Sequence, residues 1–406
     1  MDNIAGQKSG LSIVTNVAVF LIVLAWLIPT VGLFVSSFRD RDQISVSGWW
    51  EAPFSVELTY RTRADDTPTR DGDLYVAEGN IFETGEVQDQ FTSGANSIAA
   101  FGLRGREPGA FTAGETVDNR DGGTVVVNAD GSYVYTSPEP LDDRGPRLYF
   151  LAESPPDFTM SNYAEVLTGL DEDERAQEIA TGATFGELLF EEAGIFRNFI
   201  NTLTVTIPAT IIPILIAAFA AYALAWMDFP GRGLIIACVV GLLVVPLQLA
   251  LVPLLNLHNQ VGIGQSFLGI WLAHTGFGLP LAVYLLRNYM VGLPRDIIES
   301  AKVDGATDFQ IFTKIILPLS FPALASFAIF QFLWTWNDLL VAKVFLPSTG
   351  DAQVMTVKIA DDLLGSRGGD WGILATAAFV SIAIPLVVFF SMQRYLVRGL
   401  LAGSVK

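Results

Sequence analysis

From residue 11 to residue 36 the chain runs without a single Asp, Glu, Lys or Arg. Crossing about 30 Å of hydrocarbon takes roughly 20 apolar residues, and a backbone there must satisfy its own polar groups, so the segment is expected to be a helix. It could pass for a secretion signal, but its apolar core is longer than the 7–15 residues of such signals, and an uncleaved helix is expected. Five further apolar runs follow at 198–227, 233–256, 266–290, 320–346 and 371–394. Pro208, Pro213, Pro246, Pro253 and Pro385 interrupt them, which a membrane helix tolerates where neighbours re-satisfy the freed backbone.

Composition agrees: 51% of the 406 residues are hydrophobic and 16% charged. The net charge of −18 is unevenly spread. Residues 39–195 hold 31 acidic side chains and 11 basic ones, all arginine, while the rest holds 13 basic and 11 acidic. An acidic, water-facing block is therefore inserted in a nearly neutral membrane body. The expected fold class is an all-α polytopic membrane protein with six transmembrane helices plus an inserted, mostly β extracytoplasmic domain. Its segments are 1–38 (amino terminus and first span), 39–195 (insertion) and 196–406 (five-helix core and tail).

Basic residues cluster in the links at 228–232 and 287–314 and in the tail from 394. The positive-inside rule puts these links and both termini in the cytoplasm and the insertion outside, long loops being exempt from the count. Within the insertion, residues 52–156 are rich in Gly, Asp, Thr and Arg with short β-prone runs. Val125-Val126-Val127, then Asn128-Ala129-Asp130-Gly131, then Tyr133-Val134-Tyr135 reads as a hairpin. Helices are expected near 161–170 and 171–179.

One cysteine, Cys238, forms no intrachain disulfide, and with two histidines it leaves no Cys/His metal cluster. The phosphate-cradling pattern Gly-x-x-x-x-Gly-Lys-Ser/Thr is absent, so no nucleotide hydrolysis is expected here. The acidic surface excludes nucleic acid as a partner; it could steer a partner electrostatically or merely keep the domain soluble.

The most informative stretch, 294–318, lies between the fourth and fifth spans. Pro294 suits a helix start and Gly305 a helix stop. Thr307 and Gln310 form a capping box that restarts a second helix, with Phe309, Phe312, Ile315 and Ile316 as its apolar positions. Two short helices held by a proline at each end make an elbow that can pass a push into the bundle.

These residues resemble the coupling motif of ATP-binding-cassette importer permeases: Glu299, Ala301, Gly305, Ile315, Leu317 and Pro318 fall on it, with Ser300 in place of the usual Ala. Asp304-Gly305-Ala306 is similar to the carbohydrate-uptake subgroup. Asn198 to Leu203, Trp336-Asn337-Asp338 and the tail from Gln393 to Lys406 extend the resemblance to maltose-type permeases of the smaller-subunit kind. It implies the type I importer membrane fold in a bacterial inner membrane. It also implies a second permease subunit, an ATPase pair carrying ATP and Mg, and an extracytoplasmic sugar-binding protein. This chain itself would hold no cofactor. Docking to the ATPase falls on Glu299, Ser300, Ala301, Asp304, Gly305 and Ala306, and a tail contact on Gly399, Gly403 and Lys406. The long first outer loop resembles the α-glucoside group, which points to di- or oligosaccharides.

In span five, Gln331, Trp334 and Asp338 share one face of a continuous helix, with Asn337 beside them. They read either as a sugar-lining face or as polar glue between helices, and Trp336 as glue or an interfacial aromatic. His274 has no carboxylate in its own span and reads as a bonded bundle residue; His258, on an outer link, reads as solvated. Two rival functions are a secondary carrier, which would show internal duplication, and a membrane-anchored receptor working through its β domain.

Overall fold

The computed structural model describes residues 10–64, 69–83, 97–119, 122–141, 147–191, 193–347, 352–363 and 371–402. They form two compact units, Met1–Met160 and Ser161–Lys406. The first begins with α1 (Gly10–Ser36), apolar on every side and almost wholly exposed, as suits a helix made for lipid.

Beyond α1, Asp40 caps a short helix, α2 (Arg41–Val46), by accepting from the Asp42 N–H. Arg39 is fully buried, and its guanidinium donates to the carbonyls of Gln43, Ser47 and Gly48. Burial pulls its pKa below the usual arginine value, against the carboxylates of Glu51 and Asp40. Gln43 ties the insertion's entry to its exit, donating to Pro155 O at 2.7 Å and accepting from the Asp157 N–H at 3.2 Å.

Among the described residues the insertion has nine strands: β1 (Val56–Arg63), β2 (Thr69–Asp71), β3 (Leu74–Asn80), β4 (Ile98–Gly102), β5 (Phe111–Thr112), β6 (Val117–Asp118), β7 (Thr124–Val127), β8 (Ser132–Ser137) and β9 (Arg147–Ser154). They make two antiparallel sheets, ordered β1-β9-β4-β5 and β2-β3-β8-β7-β6. Phe101 and Phe150 of the first share one core with Val127, Tyr133 and Tyr135 of the second, so the sheets pack face to face. The hairpin read from sequence is β7–β8, with Val125 opposite Tyr135 and Val127 opposite Tyr133. Asp130 accepts from both the backbone and the hydroxyl of Ser132, which holds its carboxyl below the usual range. Gly131 has φ +84°, and a Cβ there would strike Phe82.

The second unit holds α3 (Ser161–Thr168), α4 (Glu172–Ala180) and α5 (Phe185–Leu188). Next come α6 (Phe196–Trp226), α7 (Arg232–Leu242), α8 (Leu247–Gln260), α9 (Phe267–Val291), α10 (Arg295–Val303) and α11 (Asp308–Ile311). Last are α12 (Leu317–Leu319), α13 (Phe321–Trp336), α14 (Leu340–Phe345), α15 (Met355–Lys358) and α16 (Trp371–Ala402). Residues 161–195 were expected with the insertion, but the unit boundary falls at Met160. The reason is packing: Val166 and Ile195 are buried with Trp336, Met355 and Ile373 in one cluster of the helical unit.

Among the described residues four helices, α1, α6, α9 and α16, are long and apolar enough to cross a membrane, and the number is six if each of two bent pairs is one span. The third expected run is broken by 108° between α7 and α8, where Pro246 drives the residue before it out of helical geometry. The fifth is not one helix either. α13 ends at Trp336, the Asn337 amide donates to Leu333 O at 2.8 Å, and Asp338 accepts from the Ala342 N–H at 3.0 Å to start α14.

Prolines inside spans each remove the N–H that the carbonyl four residues earlier would accept. Three of these carbonyls are satisfied from another helix. Trp271 Nε1 donates to Thr204 O (3.0 Å) behind Pro208, and Gln331 Nε2 to Ala209 O (3.1 Å) behind Pro213. Trp336 Nε1 donates to Ser381 O (2.8 Å) behind Pro385. Trp336 is therefore a fully buried tie rather than an interfacial aromatic. Replacing Trp336 by Phe is expected to cost about 1 kcal/mol, seen as a lowered melting temperature in detergent. Adding Pro385→Ala, which restores the intrahelical donor, is expected to recover most of that loss.

Candidate functional site

The elbow is built from two helix ends. α10 closes in a Schellman arrangement: Ala306 N–H donates to Ala301 O and Gly305 N–H to Lys302 O, both at 3.0 Å, with Gly305 at φ +79°. Only a glycine takes that turn without strain, and a Cβ there would meet open space. The restart is the expected capping box: Thr307 N–H donates to Gln310 Oε1 (2.9 Å) and Gln310 N–H to Thr307 Oγ1 (3.3 Å). Pro294 stands one place before α10.

One side of the elbow is rooted in the bundle. Ile298, Ala301, Ile311, Phe312 and Ile316 are buried in a single cluster with Ala221 and Tyr222 of α6 and Leu286 and Met290 of α9. Phe312 lies between Phe219 (4.6 Å) and Tyr222 (5.3 Å), and the Tyr222 hydroxyl donates to Asp308 at 3.3 Å. The other side faces out. Asp296, Glu299, Ser300, Val303 and Asp304 line an open concavity of about 380 Å³, and Val303 is 86% exposed.

Of the residues expected to dock, Glu299, Ser300, Asp304 and Gly305 are on this outward side, Ala306 is half-buried, and Ala301 is turned inward. Phe309, expected among the apolar positions of the second helix, is instead 65% exposed. Its place in the capped first turn points it away from the side that Phe312 buries. Gly399 lies in α16, whereas Gly403 and Lys406 lie outside the described residues.

The polar residues of span five are divided between two cavities. Gln331 and Trp334 line a groove of about 510 Å³ with Leu243, Gly276, Gly278 and Pro280, at the break between α7 and α8. Gln331 is buried against α9 because residue 278 is glycine; a Cβ there would come within 2.6 Å of its Oε1. The amide is thus both a tie to α6 and part of the groove wall, which unites the two readings open from sequence.

Asp338 does not share that face, because α13 has already ended. It lines a cavity of about 10 Å³ with His274, Thr206 and Thr335. His274 is fully buried, packs edge-on to Trp334, and brings Nε2 to 3.8 Å from Asp338 Oδ2, too long for a hydrogen bond. A carboxylate thus reaches His274 from another span, which a span-by-span reading of the sequence could not find. Asn337 is exposed. His258 is not solvated: it is buried in α8 with its ring edge-on to Phe345.

Sequence reasoning missed Trp271, Gly276 and Gly278. The signal available was a proline four residues after each freed carbonyl, which says that a donor is needed but not from which helix it comes.

The family model for binding-protein-dependent transport system inner membrane components matches residues 193–401. The chain is 54% identical to the alpha-glucoside transport system permease protein AglG of Rhizobium meliloti (strain 1021), over 98% of each chain. It is 58% identical to the osmoprotective compounds uptake permease protein GgtD of Synechocystis sp. (strain ATCC 27184 / PCC 6803 / Kazusa), over 55% of this chain and 74% of that one. It is 37% identical to the trehalose transport system permease protein SugB of Mycobacterium tuberculosis (strain CDC 1551 / Oshkosh), over 52% and 80%. Of these three matches, the first covers the insertion as well.

Gly278→Ala is expected to push Gln331 off the Ala209 carbonyl and lower the melting temperature by a few degrees, at about 1 kcal/mol. With Gln331 already shortened to Ala, the same change is expected to cost little.

Proposed function

This chain belongs to the binding-protein-dependent transport system inner membrane components, and on that footing we propose that it is the permease subunit of an ATP-driven importer of α-glucosidic di- or oligosaccharides. The observation that carries the coupling role is the elbow, which has one side buried in the bundle and a concave, partly acidic side left open. A movement imposed on the open side reaches α6 and α9 directly through Phe312, Ile298 and Ile316. The full-length similarity to an alpha-glucoside permease, insertion included, supports the sugar class.

In this reading both termini lie in the cytoplasm and the β sandwich outside. A second permease completes the pathway. An ATPase pair supplies ATP hydrolysis with its own Mg, gripping Glu299, Ser300, Asp304 and Gly305, with the tail at Gly399, Gly403 and Lys406 as a further contact. A sugar-binding protein delivers the substrate from outside. Gln331 and Trp334 meet it in the groove, the amide facing hydroxyls and the indole an apolar sugar face. Asn337 and Asp338 shape the break beside it. ATP binding closes the motor pair and tips the elbow, shifting the bundle between inward- and outward-open populations.

Gly305→Asp tests the coupling. The turn tolerates Asp better than a branched residue, and the new side chain projects into the open side. The subunit is expected to insert and to co-purify with its partner permease, while uptake falls by more than about tenfold, equivalent to at least 1.4 kcal/mol of lost coupling. Wild-type uptake by the variant contradicts the docking assignment.

A further inference from the structure

Pro29 of α1, Pro253 of α8 and Pro280 of α9 differ from Pro208, Pro213 and Pro385 in that, among the described residues, no side chain of another helix meets the carbonyl they free. Of these three only Pro280 borders the groove. Its missing N–H frees the carbonyl of Gly276, yet among the described residues no side chain donates to that carbonyl. Gly276 and Pro280, four apart and so on one helix face, both line the groove that holds Gln331 and Trp334. The proline ring and the carbonyl before it repel each other, which tilts such a carbonyl outward on that face. Residue 276 carries no Cβ, and one built there would meet nothing within 4 Å, so no side chain of that residue stands between its backbone and the groove.

We propose that the Gly276 carbonyl is a substrate subsite: an acceptor, released by Pro280, for one hydroxyl of the transported sugar. The assignment rests on the reading of the groove as part of the sugar's path. A carbonyl that has lost its helical donor is under-satisfied in an apolar wall, and those behind Pro208, Pro213 and Pro385 are met from within the protein. This one is left for a passing hydroxyl, which pairs with it and releases it again. Because a backbone acceptor is fixed by the helix, it discriminates by the position of the hydroxyl rather than by bulk. Apart from Gln331 and Trp334, the rest of the groove wall is apolar, mainly leucines around the break between α7 and α8.

The test uses the complete transporter in proteoliposomes. Maltose, sucrose and trehalose are compared, and the best transported is measured beside its monodeoxy analogues. Wild type is expected to disfavour one deoxy position by about tenfold in KM, the worth of one hydrogen bond. Pro280→Ala returns an N–H to Gly276 O and is expected to raise KM for the parent sugar and erase discrimination at that position alone. Since the readout is a ratio between sugars, a general loss from altered helix bending cancels.

Gly276→Leu fills the groove and separates the two levels of the claim. If it blocks uptake while Pro280→Ala leaves the deoxy profile unchanged, the groove stands and the subsite is overturned. If Gly276→Leu transports normally, or none of the three sugars is carried, the underlying reading fails and the subsite with it.

Discussion

A carbonyl freed by proline inside hydrocarbon has no water to turn to, and the helical unit is organised around that fact. Trp271, Gln331 and Trp336 each cross to a neighbouring helix to meet one such group. The ties join α9 to α6, α13 to α6 and α13 to α16. These are strong ties for a bilayer, where apolar contact alone gives little drive for helices to associate. They also set the chemistry of the groove, because Gln331 reaches α6 only by lying against Gly278, and so presents its amide beside Trp334.

The elbow depends on the same body being stiff. Its two helices are fixed at their junction by the Schellman bonds around Gly305 and the reciprocal box of Thr307 and Gln310. Below that junction Phe312 is held by two aromatic rings of α6. Arg232 adds a clamp on the end of α6, donating to the carbonyls of Leu224 and Ala225. A surface segment joined this closely to α6 and α9 moves with them.

Local chemistry was legible in the sequence where a motif is completed by near neighbours. The β7–β8 hairpin and both caps of the elbow follow from residues within a few positions of one another. What was not legible depends on distant partners or on backbone breaks. A single helix face for Gln331 and Asp338 assumed that α13 runs on, but side-chain bonds from Asn337 and Asp338 stop it. His258 looked solvated because Phe345 is far off in sequence, and residues 161–195 looked like part of the insertion because their apolar side is small. Proline positions announced a need for donors without naming them.

The most direct measurement is crosslinking in native membranes from cysteines placed at Glu299 and Asp304, on the open side of the elbow, in a Cys238→Ser background. The account expects both positions to link to an ATPase subunit, with a yield that changes when ATP is trapped, while a cysteine at inward-facing Ile298 does not link. Absence of any link from Glu299 and Asp304, in membranes where the transporter is assembled and active, would contradict it.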